Sequence, residues 1–246
     1  MGEKFDYYGS NKLKTVERLQ KEAKLFLTSF KLVLNGISIK PKEIEVYCYE
    51  ETGDFKDSSV HRNDLQKNNK NHFYVHRNGL TKSDSYKGGN RAGLDFVVSD
   101  NENIYHSYLI RSAVINDGKP VIGPYKVLKA IQNACGFSSY NELEINIVEL
   151  VANDASNDVL FSKRINLGEN AKKYIDCELR AVLCDDLFKE SKYPSKEELI
   201  VNFLQNKPKE YALKYAKEKL GYIPSAIRNI KIGKQQKSII RHLLRS

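Results

Sequence analysis

The spacing of apolar residues along the chain predicts a helix followed by a pair of antiparallel strands. Apolar positions recur every three or four residues from 15 to about 26, which indicates a helix, and a strand that ends at Leu34 follows. The dipeptide Asn35-Gly36 then favours a tight hairpin turn. A second strand should therefore run back beside the first.

Further apolar runs complete a mixed architecture. The predicted elements lie at residues 74–76, 94–99, Ile104–Ile115, Pro124–Ala134, 162–165 and 177–184. Among them only Pro124–Ala134 is expected to be helical, and polar, Asn-rich or Gly-rich stretches at 50–72 and 81–93 indicate loops. The chain is therefore expected to be α+β, a single mixed domain with a curved antiparallel β-sheet core flanked by helices.

The last part of the chain has a different composition and predicts a C-terminal helical extension. Ser195 and Glu198 have the spacing of a capping box for a helix over 196–205. Pro208 is placed to open a second helix over 209–219, and a third should start near Pro224. We therefore divide the chain into a domain at 1–189 and a basic helical extension at 190–246.

Positive charge is concentrated in that extension. Of the net charge of +9, residues 190–246 contribute 13 Lys+Arg against 5 Asp+Glu, or +8, which leaves +1 for residues 1–189. No acidic residue follows Glu218. The cations expected to share one helix face and to bind phosphates are Lys231, Lys234, Lys237 and Arg241.

Three interpretations of this charged stripe are open: a solvated helix face, an anionic membrane surface and a nucleic acid. An ordinary exposed face carries both signs of charge, and membrane-surface helices favour large aromatic residues. The stripe has neither feature, so nucleic acid is preferred, with phosphate contacts that weaken as salt rises.

Composition narrows the class of protein further. The chain has 246 residues, 41% of them hydrophobic, and its apolar runs are short, so neither a membrane span nor a secretory signal is expected. The four cysteines lack the paired spacing of a zinc site and should lie reduced in the core. We therefore expect a cytoplasmic protein, nucleoid-associated if the source is prokaryotic, and a monomer.

The strand that follows the hairpin turn has an unusual polar face. Read with a period of two, residues 43–49 place Ile44, Val46 and Cys48 on one face. The other face carries Glu43, Glu45, Tyr47 and Tyr49. Carboxylates interleaved with tyrosines suit a pocket wall, where a carboxylate activates water and a ring stacks on a flat ligand. An edge strand with a solvated acidic face is the alternative.

Several separated segments, taken in order, decide between these alternatives. They are Ala23-Lys24-Leu25-Phe26-Leu27, Leu34-Asn35-Gly36, Glu45-Val46-Tyr47, His61, Tyr74-Val75-His76, Leu109-Ile110-Arg111-Ser112, Gly123-Pro124-Tyr125-Lys126-Val127 and Arg164-Ile165-Asn166-Leu167-Gly168. Over about residues 16–188 their order and spacing resemble the alkyladenine (3-methyladenine) DNA glycosylases. The resemblance implies an enzyme that extrudes a nucleotide from the duplex and cleaves its N-glycosidic bond.

The resemblance also implies roles for individual residues. Glu45 matches the general base of the family, and Arg111 matches the arginine beside the catalytic water and the sugar. Tyr47 and His61 match two residues that sandwich the extruded base, and His76 stands where the family has tyrosine. We expect Glu43 to support Glu45 and, with His76 and Asp95, to offer polar groups to a modified base in the base pocket.

The chain departs from the family at the base pocket and at the wedge. Asp95 replaces an asparagine that screens purines, which makes the pocket more polar. Arg77 follows His76 where an intercalating aromatic is expected, so Tyr86 becomes the candidate wedge. The remaining residues expected to contact DNA are Arg77, Arg91 and Lys126.

We therefore expect a monofunctional DNA glycosylase acting on double-stranded DNA that contains a modified base. Two substrates are open: an alkylated purine, as in repair, or a bulky hypermodified base, for example a glycosylated one, as in defence against phage. A catalytically silent DNA-binding module or a base sensor with the same fold is the alternative. No cofactor and no metal are implied, because the side chains supply the acid–base chemistry.

Overall fold

The computed structural model describes residues 12–154, 157–165, 167, 174–184, 196–204 and 207–229. The helices are α1 (Lys12–Ser29), α2 (Pro124–Ala134), α3 (Tyr140–Ile145), α4 (Lys196–Leu204), α5 (Lys209–Leu220) and α6 (Ser225–Arg228). The strands are β1 (Phe30–Leu34), β2 (Ile37–Glu50), β3 (Phe73–Val75), β4 (Leu94–Val97), β5 (Ile104–Ile115), β6 (Val121–Ile122), β7 (Glu149–Ala152), β8 (Val159–Ser162) and β9 (Arg180–Leu183).

The described chain divides into two compact units. The first contains the residues up to Val159 together with Lys163–Leu183, and the second contains Leu160–Ser162 and the residues from Cys184 onward. Every residue of the candidate active site described below belongs to the first unit.

The first unit is built on a curled antiparallel sheet. Its strands are ordered β3-β4-β5-β2-β1-β7, with β6 paired to β5 and β9 paired to β2. Helix α1 packs on β1, β2 and β9, while α2 packs on β5 and α3 on β3. Large apolar side chains such as Phe26, Phe73 and Phe96 fill the space between helices and sheet. The predicted α+β class with a curved antiparallel core is confirmed.

The hairpin that joins β1 to β2 forms where the sequence predicted it. Asn35 and Gly36 both have positive φ, 49° and 75°, and Leu34 pairs with Ile37 across the turn. Positive φ at both central residues suits the right-handed twist of the strands. Helix α1 is longer than predicted and runs to Ser29.

Three short elements, α3, β6 and β7, escaped the sequence patterns. Each has only two to six residues, and β7 has no buried residue that would mark a face. Ile145, the last residue of α3, and Ile147, two residues later, are both exposed. Apolar residues at these positions therefore do not mark a buried face. Periodicity is informative only over longer windows.

The described residues of the predicted extension are mainly helical, and they belong to the second unit. Helices α4, α5 and α6 correspond to the three predicted helices, and α5 ends at Gly221, whose φ of 80° is the left-handed conformation of a helix C-cap. Leu199 and Leu213 are buried. The expected cap Ser195 lies outside the described residues, as do the four cations of the predicted stripe, Lys231, Lys234, Lys237 and Arg241.

Candidate active site

Strand β2 lies inside the sheet, and its acidic face is buried. It is hydrogen-bonded to β5 along one edge and to β1 and β9 along the other. Glu45 is fully buried and Glu43 is 3% exposed. Ile44 and Val46, on the opposite face, are also fully buried. The alternative of an edge strand with a solvated acidic face is therefore wrong.

A β-bulge aims Arg111 at these carboxylates. Ser112 pairs with Glu43 and Ile110 pairs with Ile44, so Arg111 between them has no partner residue on β2. A bulge bends its strand locally and redirects a side chain. The chain thereby brings the guanidinium of Arg111 to both acidic residues of β2.

Four charged side chains form what we call the carboxylate cluster: Glu43, Glu45, Arg111 and Arg180. Arg111 Nη1 lies 3.2 Å from Glu45 Oε1, and Arg111 Nε donates to Glu43 Oε1 over 3.2 Å. Arg180 Nε donates to the same oxygen of Glu43 over 2.6 Å. Glu43 thus holds two arginines, one of which reaches Glu45. This supports the expected helper role of Glu43 but places it in the cluster and not in the base pocket.

Donors almost saturate the carboxylate of Glu45. Its Oε1 accepts from the backbone N–H of Ile165 over 3.0 Å in addition to its contact with Arg111. Its Oε2 accepts from the hydroxyl of Tyr47 over 2.9 Å. Since an ionised carboxylate offers about four acceptor sites, roughly one remains, on Oε2.

Beside the cluster lies a cavity that we call the ring pocket. It is lined by Tyr47, Ser59, His61, Gln66, His76 and Asp95 and has a cavity volume of about 30 Å³. A cavity needs about 10–15 Å³ to hold one water molecule, so this one holds about two and must widen to admit a heterocycle. Four of the five residues that the sequence assigned to the base pocket, Tyr47, His61, His76 and Asp95, therefore lie together, and Glu43 is the exception.

Tyr47 stands between the ring pocket and a buried ion pair. The guanidinium of Arg164 lies 4.9 Å from the centroid of the Tyr47 ring, and Arg164 Nη1 donates to Asp57 over 2.5 Å. Asp57 also accepts from the hydroxyl of Ser59 over 2.6 Å, which fixes that residue in the pocket wall. Burial, and next the charge of Glu45, raise the pKa of Tyr47 well above its usual value, so its hydroxyl is a neutral donor.

His61 is held as a neutral imidazole with a defined tautomer. Burial first, and then the charges of His76 and Lys87, lower the pKa of His61 to about 3. Lys87 Nζ lies 2.7 Å from Nε2 of His61, and an ammonium can only donate, so Nε2 accepts. Nδ1 then carries the proton and donates to the hydroxyl of Tyr74 over 3.1 Å. Lys87 was missed because it lies in a loop with no local pattern.

His76 and Asp95 form a buried pair at the inner end of the pocket. His76 Nε2 is 2.7 Å from Asp95 Oδ1, and Asp95 Oδ2 accepts from Ser107 over 2.7 Å. Burial alone would raise the pKa of Asp95, but the charge and hydrogen bond of His76 and the bond from Ser107 together lower it. A Cβ on Gly93 would lie 2.8 Å from Cε1 of His76, so the ring packs directly on that backbone.

Two residues expected to meet DNA are instead bound within the first unit. Arg77 is 6% exposed, forms a short ion pair with Glu144 and donates to the carbonyl of Asp84 over 2.7 Å. Tyr86 donates to Glu144 over 2.9 Å and its ring packs on Tyr140. The phosphate role of Arg77 and the wedge role of Tyr86 are therefore not supported, because both side chains are hydrogen-bonded to Glu144 of α3. Arg91 and Lys126 are exposed, as a DNA contact requires.

Leu80 is an exposed apolar residue that the sequence patterns did not single out. Its side chain is 56% exposed, while the chain around it is held firmly. Asn63 Nδ2 donates to the carbonyls of Gly79 and Thr81, and the N–H of Asp64 donates to the carbonyl of Leu80. The loop thus presents one apolar tip on a rigid base, four positions after His76.

Two comparisons with known proteins found no relative. No family model matches the chain, and a search of curated proteins found no significant match. Within the described ranges no helix is long and apolar enough to cross a membrane. Over the same ranges no group of three or more His, Cys, Asp or Glu side chains could hold a metal ion. Cys48, Cys135, Cys177 and Cys184 are buried as reduced thiols, as predicted.

Proposed function

We propose that the protein is a monofunctional DNA glycosylase that extrudes a modified base into the ring pocket and hydrolyses its N-glycosidic bond. The observation that carries the proposal is the adjacency of a polar, aromatic-lined pocket and a buried carboxylate bound to an arginine. Tyr47 belongs to both, since it lines the pocket and donates to Glu45.

The chemistry follows from this adjacency. Cleavage of an N-glycosidic bond passes through a transition state with positive charge on the sugar, and a nearby carboxylate both stabilises that charge and activates water. Glu45 takes this role, and Arg111 orients it and meets the sugar or its phosphate. A general base contributes about 10²–10⁴-fold to the rate.

The lining of the pocket supports a polar substituted base in preference to a simple alkylated purine. Ser59, His76 and Asp95 place hydroxyl, imidazole and carboxylate groups around a cavity of about 30 Å³. The pocket would have to widen to admit a heterocycle, and the substituent of a hypermodified base would have to extend through the pocket mouth. Defence against DNA that contains such bases is the corresponding biological role.

Leu80 replaces Tyr86 as the wedge in this proposal. Proteins that unstack DNA insert apolar side chains between base steps. An exposed leucine on a loop that Asn63 and Asp64 brace can enter the stack without reordering its own backbone. Arg91 and Lys126 would then hold the phosphates beside it, with double-stranded DNA as the partner of a monomeric protein.

One experiment tests the proposal. Duplexes that each carry one modified base, alkylated, hydroxymethylated or glycosylated, are incubated with the protein and then treated with alkali, which cleaves abasic sites. We expect cleavage of at least one of these DNAs, and none in unmodified DNA. Strand breaks before alkali, or covalent trapping by borohydride, would point to an amine nucleophile such as Lys87 and contradict the monofunctional assignment.

A silent base-binding module with the same fold is the second candidate. It is favoured by one observation, the complete burial of Glu45. Such a module would bind a modified duplex more tightly than an unmodified one and release no base. The same set of DNAs, measured for both binding and base release, separates the two candidates.

A further inference from the structure

Glu45, the proposed catalytic carboxylate, does not line the pocket in which the base would bind. Glu45 has no exposed atom, and the ring pocket is lined by Tyr47 and not by Glu45. A water molecule in the pocket would therefore meet the phenol of Tyr47 first. Direct attack by a water bound to Glu45 would require Tyr47, or the segment that contains Arg164 and Ile165, to move.

The hydroxyl of Tyr47 bridges this gap. It donates to Glu45 Oε2 over 2.9 Å, and that oxygen has no other hydrogen bond in the described part of the chain. A phenol that donates one hydrogen bond still has lone pairs that can accept another. No donor in the described residues occupies the lone pairs of the Tyr47 hydroxyl, while its proton already points at Glu45.

The surroundings hold the phenol in place for such a step. The guanidinium of Arg164 lies over its ring, and Arg164 is itself fixed by Asp57 and by the carbonyl of Val46 at 3.1 Å. Burial and the charge of Glu45 keep Tyr47 protonated. A neutral phenol can pass a proton on without ever becoming a stable phenolate.

Resting on the proposed function, we propose that Tyr47 is a catalytic proton relay and not only a stacking surface. The attacking water gives a proton to Tyr47 Oη as the phenol gives its own proton to Glu45 Oε2. The oxygen of the water forms a bond to C1′ of the sugar, and the C1′–N bond breaks. The base departs with that electron pair and is protonated by solvent, while Glu45 later returns its proton to solvent.

Tyr47→Phe is the test, because it keeps the ring and removes the relay. The readout is single-turnover release of base from the duplex that the wild type cleaves best. We expect a loss of about 10²–10⁴-fold, like that of Glu45→Gln, since both changes interrupt one path for the proton. Affinity for the same duplex with a non-cleavable 2′-fluoro sugar should change less than threefold. Tyr49→Phe, two residues along the same strand face, is the matched control and should act at the wild-type rate.

A second measurement needs no substitution. Rates in mixtures of H₂O and D₂O should curve with deuterium content, because two protons move in one step. Wild-type activity of Tyr47→Phe, or a linear dependence on deuterium, would overturn the relay and leave the glycosylase proposal intact. Failure of the wild type to release any base would overturn both.

Discussion

The carboxylate cluster and the ring pocket are neighbours, but they are built in opposite ways. In the cluster, Glu43 and Glu45 meet the side chains of Arg111 and Arg180 at 2.6–3.2 Å, with Glu45 fully buried. In the pocket, Tyr47, His61, His76 and Asp95 surround an open volume.

The contrast separates two tasks. A group that performs chemistry benefits from preorganised charge partners that need no rearrangement during the reaction. A group that binds a flat ligand must leave space for that ligand on one side. Its own supporting contacts therefore lie on the other side. Here Arg164 supports Tyr47, Lys87 and Tyr74 support His61, and the backbone at Gly93 supports His76.

The largest effect is expected from breaking the cluster. Arg180→Met removes one partner of the buried carboxylate of Glu43, and breaking a buried ion pair costs about 3–5 kcal/mol. Urea unfolding should report that loss of stability. Lys163→Met, which breaks the exposed pair with Asp176, is the control and should cost less than about 1 kcal/mol. Equal losses would show that burial of the cluster contributes nothing.

Acid should act on the pocket through His61. Its pKa is lowered to about 3, and burial lowers the pKa of His106, outside the pocket, to about 3 as well. Each histidine binds a proton in the unfolded chain below about pH 6.5 but not in the native one, so stability falls as pH falls. Between pH 7 and pH 5 the loss should be about 2 kcal/mol for each histidine. His61→Asn should remove about half of the combined loss, and an unchanged loss in that variant would contradict the neutral assignment.

Two glycines of one loop test how tightly His76 is held. Gly93→Ala would place a Cβ 2.8 Å from His76 and 2.9 Å from Leu109, and such overpacking costs about 1–3 kcal/mol. Gly88→Ala meets nothing within 4 Å and should be neutral or slightly stabilising. Thermal unfolding measures both, and affinity for a modified duplex should fall only for Gly93→Ala. If Gly93→Ala lost neither stability nor affinity, the side chain of His76 would be able to move aside, and the pocket wall would not be rigid.

The smallest expected effect concerns the wedge. Leu80→Ala shortens the apolar tip and should raise the barrier to base extrusion by about 1 kcal/mol, a part of the few kcal/mol that unstacking costs. Fluorescence of 2-aminopurine placed beside the target base reports extrusion. Ile145→Ala, at a residue exposed to a similar degree, should have no effect. A loss from both would indicate general damage.

The sequence predicts the helices and strands better than it predicts which charged side chains pair with one another. Periodicity is enough to place β2 and to bring Glu45 and Tyr47 to one face, because that relation is local. The pairing of Arg180 with Glu43 spans 137 residues, and the bulge at Arg111 depends on the register between two strands. Arg180 lies in the otherwise apolar strand β9, and a buried guanidinium needs an anionic partner. That arginine is the signal from which a buried ion pair could have been predicted.

The error at Arg77 has a related origin. A basic residue after a short strand looks like a phosphate ligand when its partner cannot be seen. That partner, Glu144, lies on α3, which is too short to leave a pattern. Leu80 was missed for the opposite reason, since a lone leucine in a polar loop has no periodicity and its exposure is decided by the hydrogen bonds of Asn63 and Asp64.

The most direct test of the account is the rate of base release by Glu45→Gln, measured in a single turnover on a duplex that the wild type cleaves. The amide keeps the shape of the side chain but cannot accept the proton, so we predict a loss of about 10²–10⁴-fold with DNA affinity unchanged. Glu43→Gln, which acts only through Arg111, should lose less. Release by Glu45→Gln at the wild-type rate would contradict the central claim that this buried carboxylate is the base of a glycosylase.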